Sequence, residues 1–155
     1  MKIGIMGGTF NPIHNAHLLI AEMAREEYGL DRVIFITDGN PPHKSANVTA
    51  KQRFEMTHIA IADNSAFEED DFEINRSEKS YTVNTLGYLK EKYPNDNLFF
   101  IIGEDSLNDF DKWYKPDKIL EMCSLLVFPR KSLKSLTETI KAVKEKMNGR
   151  IFPIS

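Results

Sequence analysis

At 155 residues the chain is long enough for one domain with a sizeable buried core, and 41% apolar with 28% charged residues is ordinary for a globular protein. A net charge of −3 gives no support to a nucleic-acid partner, for which a basic footprint is expected. No apolar stretch reaches the roughly 18 residues of a membrane span. The opening residues carry no leader pattern, and a single cysteine excludes an internal disulfide.

In chain order, residues 2–6 form a short apolar run that reads as a strand. It leads into Gly7-Gly8-Thr9-Phe10-Asn11-Pro12-Ile13-His14-Asn15-Ala16-His17. Two glycines let backbone amides approach a ligand with no Cβ in the way. A helix is expected over 14–28, which puts His14 and His17 on one face of its first turn. A Gly-Gly pair alone is usually only a turn, and a lone His is usually an ordinary residue. Glycine amides, a helix N-terminus and two imidazoles together make a site for phosphate. The glycines at 4, 7 and 8 fit neither a Walker A loop nor G-x-G-x-x-G.

Residues 32–37, 98–103 and 124–128 are further strand candidates. Their continuous apolar cores, such as Val33-Ile34-Phe35-Ile36, suit strands buried on both faces of a parallel sheet. Shorter strands are expected at 72–75 and 150–154, and the acidic residues 68–71 are expected to form a solvated loop. Helices are expected at 50–62, 83–93, 116–122 and 136–147, with exits at Tyr28-Gly29, Pro94 and Asn148-Gly149. Alternating strands and helices predict an α/β fold, an open parallel sheet with helices packed on it. Ligands of such sheets bind at the carboxyl ends of the strands. The loops 7–14, 38–48, 103–114 and 129–135 therefore hold the candidate chemistry.

In the second of these loops, Pro41 and Pro42 stiffen the approach to His43 and Lys44. The segment is either a rigid surface connection or a second phosphate contact. Ser80-Tyr81-Thr82 precedes a helix; Ser80 or Thr82 is an ordinary N-cap, and the helix N-terminus can also receive a carboxylate. Gly103-Glu104-Asp105-Ser106 ends a strand, and Trp113-Tyr114 follows ten residues after Gly103. A tryptophan is usually core, but in this polar loop its flat face can stack on a heteroaromatic ring; a cationic ring adds ~0.5–2 kcal/mol. Cys123, beside an apolar run, reads as a small buried hydrophobe in a reducing cytoplasm.

The first motif resembles the T/H-x-G-H family of nucleotidyltransferases, with Asn11 where Asp is common and Ala16 where Gly is usual. Together with Pro41-Pro42-His43-Lys44, Ser80-Tyr81-Thr82, Thr85-Leu86, Phe100-Ile101-Ile102-Gly103-Glu104-Asp105 and Trp113-Tyr114, the chain is similar over essentially its whole length to the bacterial nicotinate-nucleotide adenylyltransferases. The resemblance implies a Rossmann-like open parallel sheet flanked by helices on both faces. It implies a single nucleotidyltransferase domain over 1–155 that lacks its C-terminal helical part. The family's second signature, Ile-Ser-Ser-Thr-x-Ile-Arg, is absent from a sequence closing on Phe152-Pro153-Ile154-Ser155.

The implied reaction is adenylyl transfer from ATP to nicotinate mononucleotide, giving deamido-NAD and pyrophosphate in NAD biosynthesis. By the same resemblance His14, His17 and Lys44 are catalytic. Gly7, Gly8, Thr9, Phe10, His14, His17, Gly103 and Asp105 bind ATP. Thr9, Lys44, Thr82, Trp113, Tyr114 and Arg130 bind nicotinate mononucleotide. Trp113 would stack on the pyridine, while Thr82 and the Tyr114 amide would receive its carboxylate. Mg²⁺ would ride on ATP oxygens and water, with no protein metal site. The resemblance also implies a cytoplasmic enzyme with no nucleic-acid or membrane partner, and allows a homo-oligomer. Two alternatives stay open: a sibling adenylyltransferase taking nicotinamide mononucleotide or phosphopantetheine, and a non-catalytic nucleotide-binding protein. His14, His17 and Lys44 speak against the second, since a retired site has no need of them.

Overall fold

The computed structural model describes residues 1–10, 12–39, 49–76, 81–130 and 132–155. Six strands, β1 (Lys2–Gly8), β2 (Arg32–Thr37), β3 (Phe67–Asp70), β4 (Asn97–Gly103), β5 (Ser124–Phe128) and β6 (Ile151–Pro153), form one sheet. All pairings are parallel, and the order is β3-β2-β1-β4-β5-β6. The order reverses between β1 and β4, so the crevice at their carboxyl ends is the expected ligand position. The helices are α1 (Asn15–Tyr28), α2 (Ala50–Ile61), α3 (Thr82–Lys92), α4 (Glu104–Asn108), α5 (Pro116–Met122) and α6 (Leu133–Lys146), with a 3-10 turn at Phe110–Lys112.

Strand residues alternate between two buried layers. Ile34 and Ile36 join Ile3, Ile5 and Leu125 against Leu86 and Leu89 of α3, Leu107 of α4, Ile119 of α5 and Leu136 of α6. Val33 and Phe35 face the other way, onto Ala21 and Ala24 of α1 and Ile61 of α2. Helices therefore cover both faces, as the resemblance implied. Each fully buried Val, Leu, Ile or Phe in these layers contributes ~1.5–3 kcal/mol of transfer free energy. Helix α1 ends where Gly29 adopts the left-handed conformation at φ 63°, the residue type that accepts it without strain.

Four local expectations are corrected. The acidic run 68–71 is not a solvated loop: Phe67–Asp70 is the edge strand β3, paired to β2 from Val33↔Phe67 to Ile36↔Asp70. Its carboxylates are held by residues distant in sequence. Glu68 pairs with Arg32 at 2.8 Å, Glu69 with His58 at 2.9 Å, and Asp70 with Lys92 at 3.1 Å. Charged residues on an edge strand also discourage pairing with another chain. The strand expected at 72–75 is a turn instead, because the Phe72 amide donates to Asp70 Oδ1 at 2.9 Å and caps the strand end. The loop after Gly103 contains the short helix α4, too brief for any period to announce it. Helix α6 begins three residues earlier than expected, at Leu133, since Ser132 accepts the Ser135 amide as its N-cap.

Candidate active site

Strand β1 delivers Gly7 and Gly8 to the carboxyl edge of the sheet, level with Ile36 and Thr37 of β2. The Asp38 amide donates to the Gly8 carbonyl at 2.9 Å, so the two strand ends stay joined past the ladder. Phe10 follows with φ 48° and is buried. Its ring packs edge-on to His17, 5.3 Å between centroids, and against Phe35. The loop is thus anchored from below by an aromatic side chain in a left-handed conformation, a strained arrangement of the kind seen at functional sites.

His14 is the N-cap of α1, and its amide donates to Nδ1 of His17 at 2.9 Å. An Nδ1 that accepts carries no proton, so the neutral ring has its hydrogen on Nε2. The two rings stack at 5.4 Å. Burial, and then the neighbouring His14, lower the pKa of His17 below the usual histidine value. A neutral imidazole presenting Nε2–H at a helix N-terminus is a directed donor for a phosphate oxygen.

His17, Gly7 and Gly8 line a cavity of about 350 Å³ together with Asp38, Glu73 and Thr82. Thr85, Gly103, Ser106 and Trp113 complete its polar and aromatic wall, over a floor of β1 and β4 side chains such as Ile5 and Ile102. It lies where the strand order reverses. Thr82 is the first residue of α3, and Tyr81, not Ser80 or Thr82, is its N-cap. The amides of Asn84 and Thr85 donate back to the Tyr81 carbonyl at 3.0 and 3.2 Å, so those of Thr82 and Val83 are the first-turn amides that no carbonyl of the helix can reach. Trp113 is half-buried, with Phe110 at 5.0 Å and Phe100 at 6.2 Å between ring centroids. The core thus fixes the plane of the indole.

Of the residues singled out in the sequence, the cavity wall gathers Gly7, Gly8, His17, Thr82, Gly103 and Trp113. It does not include Thr9, Phe10, His14, Asp105, Tyr114 or Arg130. The Asp105 carboxylate forms an ion pair with the Arg130 guanidinium, both exposed. The Arg130 amide donates to Glu104. Tyr114 is exposed, its ring 4.6 Å from that of Tyr81. Lys44, with His43 and Ser80, lies outside the described residues. Cys123 is buried, its Sγ donating to the Ile119 carbonyl at 3.4 Å.

Sequence reasoning missed three contributors. Ser106, one residue past Asp105, lines the cavity in its place. Glu73 presents its carboxyl to the wall and accepts the Thr85 hydroxyl at 2.6 Å. Burial pushes its pKa up to about 7, against the opposing effect of the Thr85 hydrogen bond. Arg53 of α2 is only 2% exposed, and one of its terminal nitrogens donates to the carbonyls of both Thr9 and Asp38, each at 2.7 Å. It clips the loop after β1 to the loop after β2. None of these residues stands in a spacing that signals chemistry.

The arrangement is matched by relatedness. The cytidylyltransferase-like family model covers residues 5–151. A probable nicotinate-nucleotide adenylyltransferase of Citrifermentans bemidjiense is 47% identical over 144 residues, 90% of this chain and 67% of that one. The protein of the same name from Trichlorobacter lovleyi is 47% identical over 147 residues, 94% of this chain and 68% of that one. The chain spans about two thirds of the length of these relatives, and 61% of some others. The solved Plasmodium falciparum nicotinic acid mononucleotide adenylyltransferase complexed with NaAD superposes with a TM-score of 0.78 over 99% of this chain and 75% of that chain. At 22% identity that likeness speaks for the fold. By sequence and by fold, the chain belongs to the cytidylyltransferase-like family and, within it, to the nicotinate-nucleotide adenylyltransferases.

Proposed function

We propose that the chain transfers the adenylyl group of ATP to the 5′-phosphate of nicotinate mononucleotide. An acceptor phosphate oxygen attacks the α-phosphorus of ATP, the bond from that phosphorus to the β-phosphate oxygen breaks, and pyrophosphate leaves with the electron pair. The products are pyrophosphate and deamido-NAD. The acceptor is already ionised, so the protein has to position two anions and stabilise charge. The observation that carries this proposal is His17, with Nδ1 engaged by the His14 amide and Nε2–H left to donate, in the same cavity as Thr82 and Trp113. His17 would hold the α-phosphate as charge builds, and the amides of Gly7 to Phe10, with His14, would hold neighbouring oxygens. Gly103 and Ser106 would face the adenosine. Trp113 would stack on the pyridine, and the first turn of α3 at Thr82 would receive its carboxylate.

Lys44 keeps the phosphate role that the family resemblance gives it. Magnesium would enter as part of the substrate, on ATP oxygens. Among the described residues no three His, Cys, Asp or Glu side chains are grouped to hold a metal, and a cation carried by triphosphate does not require such a group. Among the same residues no helix is long and apolar enough to cross a membrane.

Purified protein incubated with ATP, Mg²⁺ and nicotinate mononucleotide should release pyrophosphate, and replacement of the acceptor by phosphopantetheine should abolish release. His17→Ala should keep its circular dichroism spectrum and lose ~10²–10³ in turnover, the usual effect of deleting one preorganised donor. Turnover at the unaltered rate in His17→Ala would refute the mechanism. Nucleotide binding with no pyrophosphate release would favour a non-catalytic binding protein.

A further inference from the structure

Glu73 is the unusual group of this cavity. It sits on the turn between β3 and α3, not at the end of a strand, and it reaches the wall because the chain passes unusually close. A Cβ on Gly39 would lie 2.0 Å from the Glu73 carbonyl oxygen and 2.7 Å from its carbonyl carbon. Those are backbone atoms that cannot swing aside, so only glycine at position 39 lets the turn 72–75 lie against the segment that leaves β2. That approach brings the Glu73 carboxyl into the wall shared with Asp38, Thr82, Thr85 and Trp113. The Thr85 hydroxyl donates to Glu73 Oε2 at 2.6 Å, one helical turn beyond Thr82. The carboxyl is therefore tied to the α3 turn that the proposed function assigns to the pyridine substituent.

We propose that Glu73 is a specificity-determining residue of the acceptor site, selecting between an anionic and a neutral pyridine substituent by its own charge. This inference rests on the nicotinate mononucleotide site proposed above. A protonated Glu73 donates a hydrogen bond and accommodates a carboxylate. An ionised Glu73 repels that carboxylate and accepts from a carboxamide NH₂ instead. The charge is set in a range where both forms exist. Burial raises the pKa to about 7; Asp38 beyond β2 raises it further, while the Thr85 bond and Arg76 on the same turn oppose. Among the described residues, Asp38 and Arg76 are the charged groups acting on it, and His17 lines the same cavity. Helix α3 contributes Thr82 and Thr85 to that wall, neither of them titratable.

The test is calorimetric binding of nicotinate mononucleotide and of nicotinamide mononucleotide at pH 6, 7 and 8. The two ligands share one ribose phosphate, so its titration cancels in the ratio of their affinities. With a pKa of about 7 the protonated fraction falls about tenfold from pH 6 to pH 8. The ionised fraction, which favours the carboxamide, rises about tenfold over the same range, so the preference for the nicotinate compound should fall by at least tenfold and by up to about a hundredfold. Glu73→Gln, neutral at every pH and still able to accept from Thr85, should hold the preference constant. Thr85→Val removes a bond that favours the ionised form, so the fall should move to higher pH. A ratio independent of pH in the unaltered protein, or one that falls as steeply in Glu73→Gln, overturns the role of Glu73 and leaves the acceptor-site proposal standing. If nicotinate mononucleotide binds at no pH, both proposals are overturned; if nicotinamide mononucleotide alone binds at no pH, the role of Glu73 is overturned and the acceptor-site proposal stands.

Discussion

Replacing Arg53 by Met should destabilise the protein and damage the site together. The guanidinium is 2% exposed and spans two loops, donating to Thr9 and Asp38 carbonyls at 2.7 Å each. A hydrogen bond from a charged donor contributes ~1.5–3 kcal/mol, so two amount to roughly 3–6 kcal/mol. Against this stands the cost of burying a cation, visible in a pKa lowered by burial and in a buried Nε with no hydrogen-bond partner. Methionine fills most of the volume but leaves both carbonyls without their donor. The net loss should be ~2–4 kcal/mol. For a domain of this size that corresponds to roughly 4–16 °C in Tm.

Lysine in place of Arg53 has one compact ammonium and no fork, so Arg53→Lys should lie between the two. Urea unfolding followed by circular dichroism gives the stability. Pyrophosphate release at a urea concentration where each variant is folded gives the activity. Because Thr9 and Asp38 lie at the ends of β1 and β2 beside the cavity, KM for ATP should rise in the folded Met variant. Stability within ~0.5 kcal/mol of the unaltered protein would refute the energetics. Lost stability with unchanged KM and kcat would refute the link between this side chain and the site.

Further outcomes can be checked with the same protein. Thr82→Val should narrow the preference for nicotinate over nicotinamide mononucleotide, since an unmatched polar group in a closed site costs ~1–3 kcal/mol, or about tenfold to a hundredfold. Trp113→Phe should weaken both mononucleotides alike, because stacking does not read the substituent; kcat/KM for the two acceptors in each variant decides the assignment. Burial holds the Cys123 thiol up to about 12, above its ordinary value of 9.0. The unfolded thiol ionises first, so this group has no effect on stability below its unfolded pKa. Stability is then lost at ~1.4 kcal/mol per pH unit as pH rises toward the folded value. Cys123→Ala should abolish that component, and unfolding free energies at pH 8 and pH 10 that change in parallel in the two proteins would contradict it.

The four long strands β1, β2, β4 and β5 were legible because burial on both faces demands continuous apolar runs, and little else in a polar chain produces Val33-Ile34-Phe35-Ile36. The loop proposed to hold phosphate was legible for a similar reason, since the placement of Gly7, Gly8 and His17 rests on backbone and helix geometry set within eleven residues. Strand β3 was not, because its carboxylates look solvated until Arg32, His58 and Lys92 are brought beside them. Nor were Arg53 and Glu73. Arg53 reads as a surface cation on a helix, and only the packing of α2 against β2 places it 44 residues away from Thr9 in sequence at hydrogen-bond distance. Glu73 reads as one more acid in an acidic stretch, and only the close passage of Gly39 turns it into a cavity wall. What the sequence by itself determined is the set of elements and the one local motif, because hydrophobic period and backbone freedom are properties of neighbours. The charge environment of the cavity was decided by tertiary structure, because desolvation and pairing depend on which distant residues share a small volume.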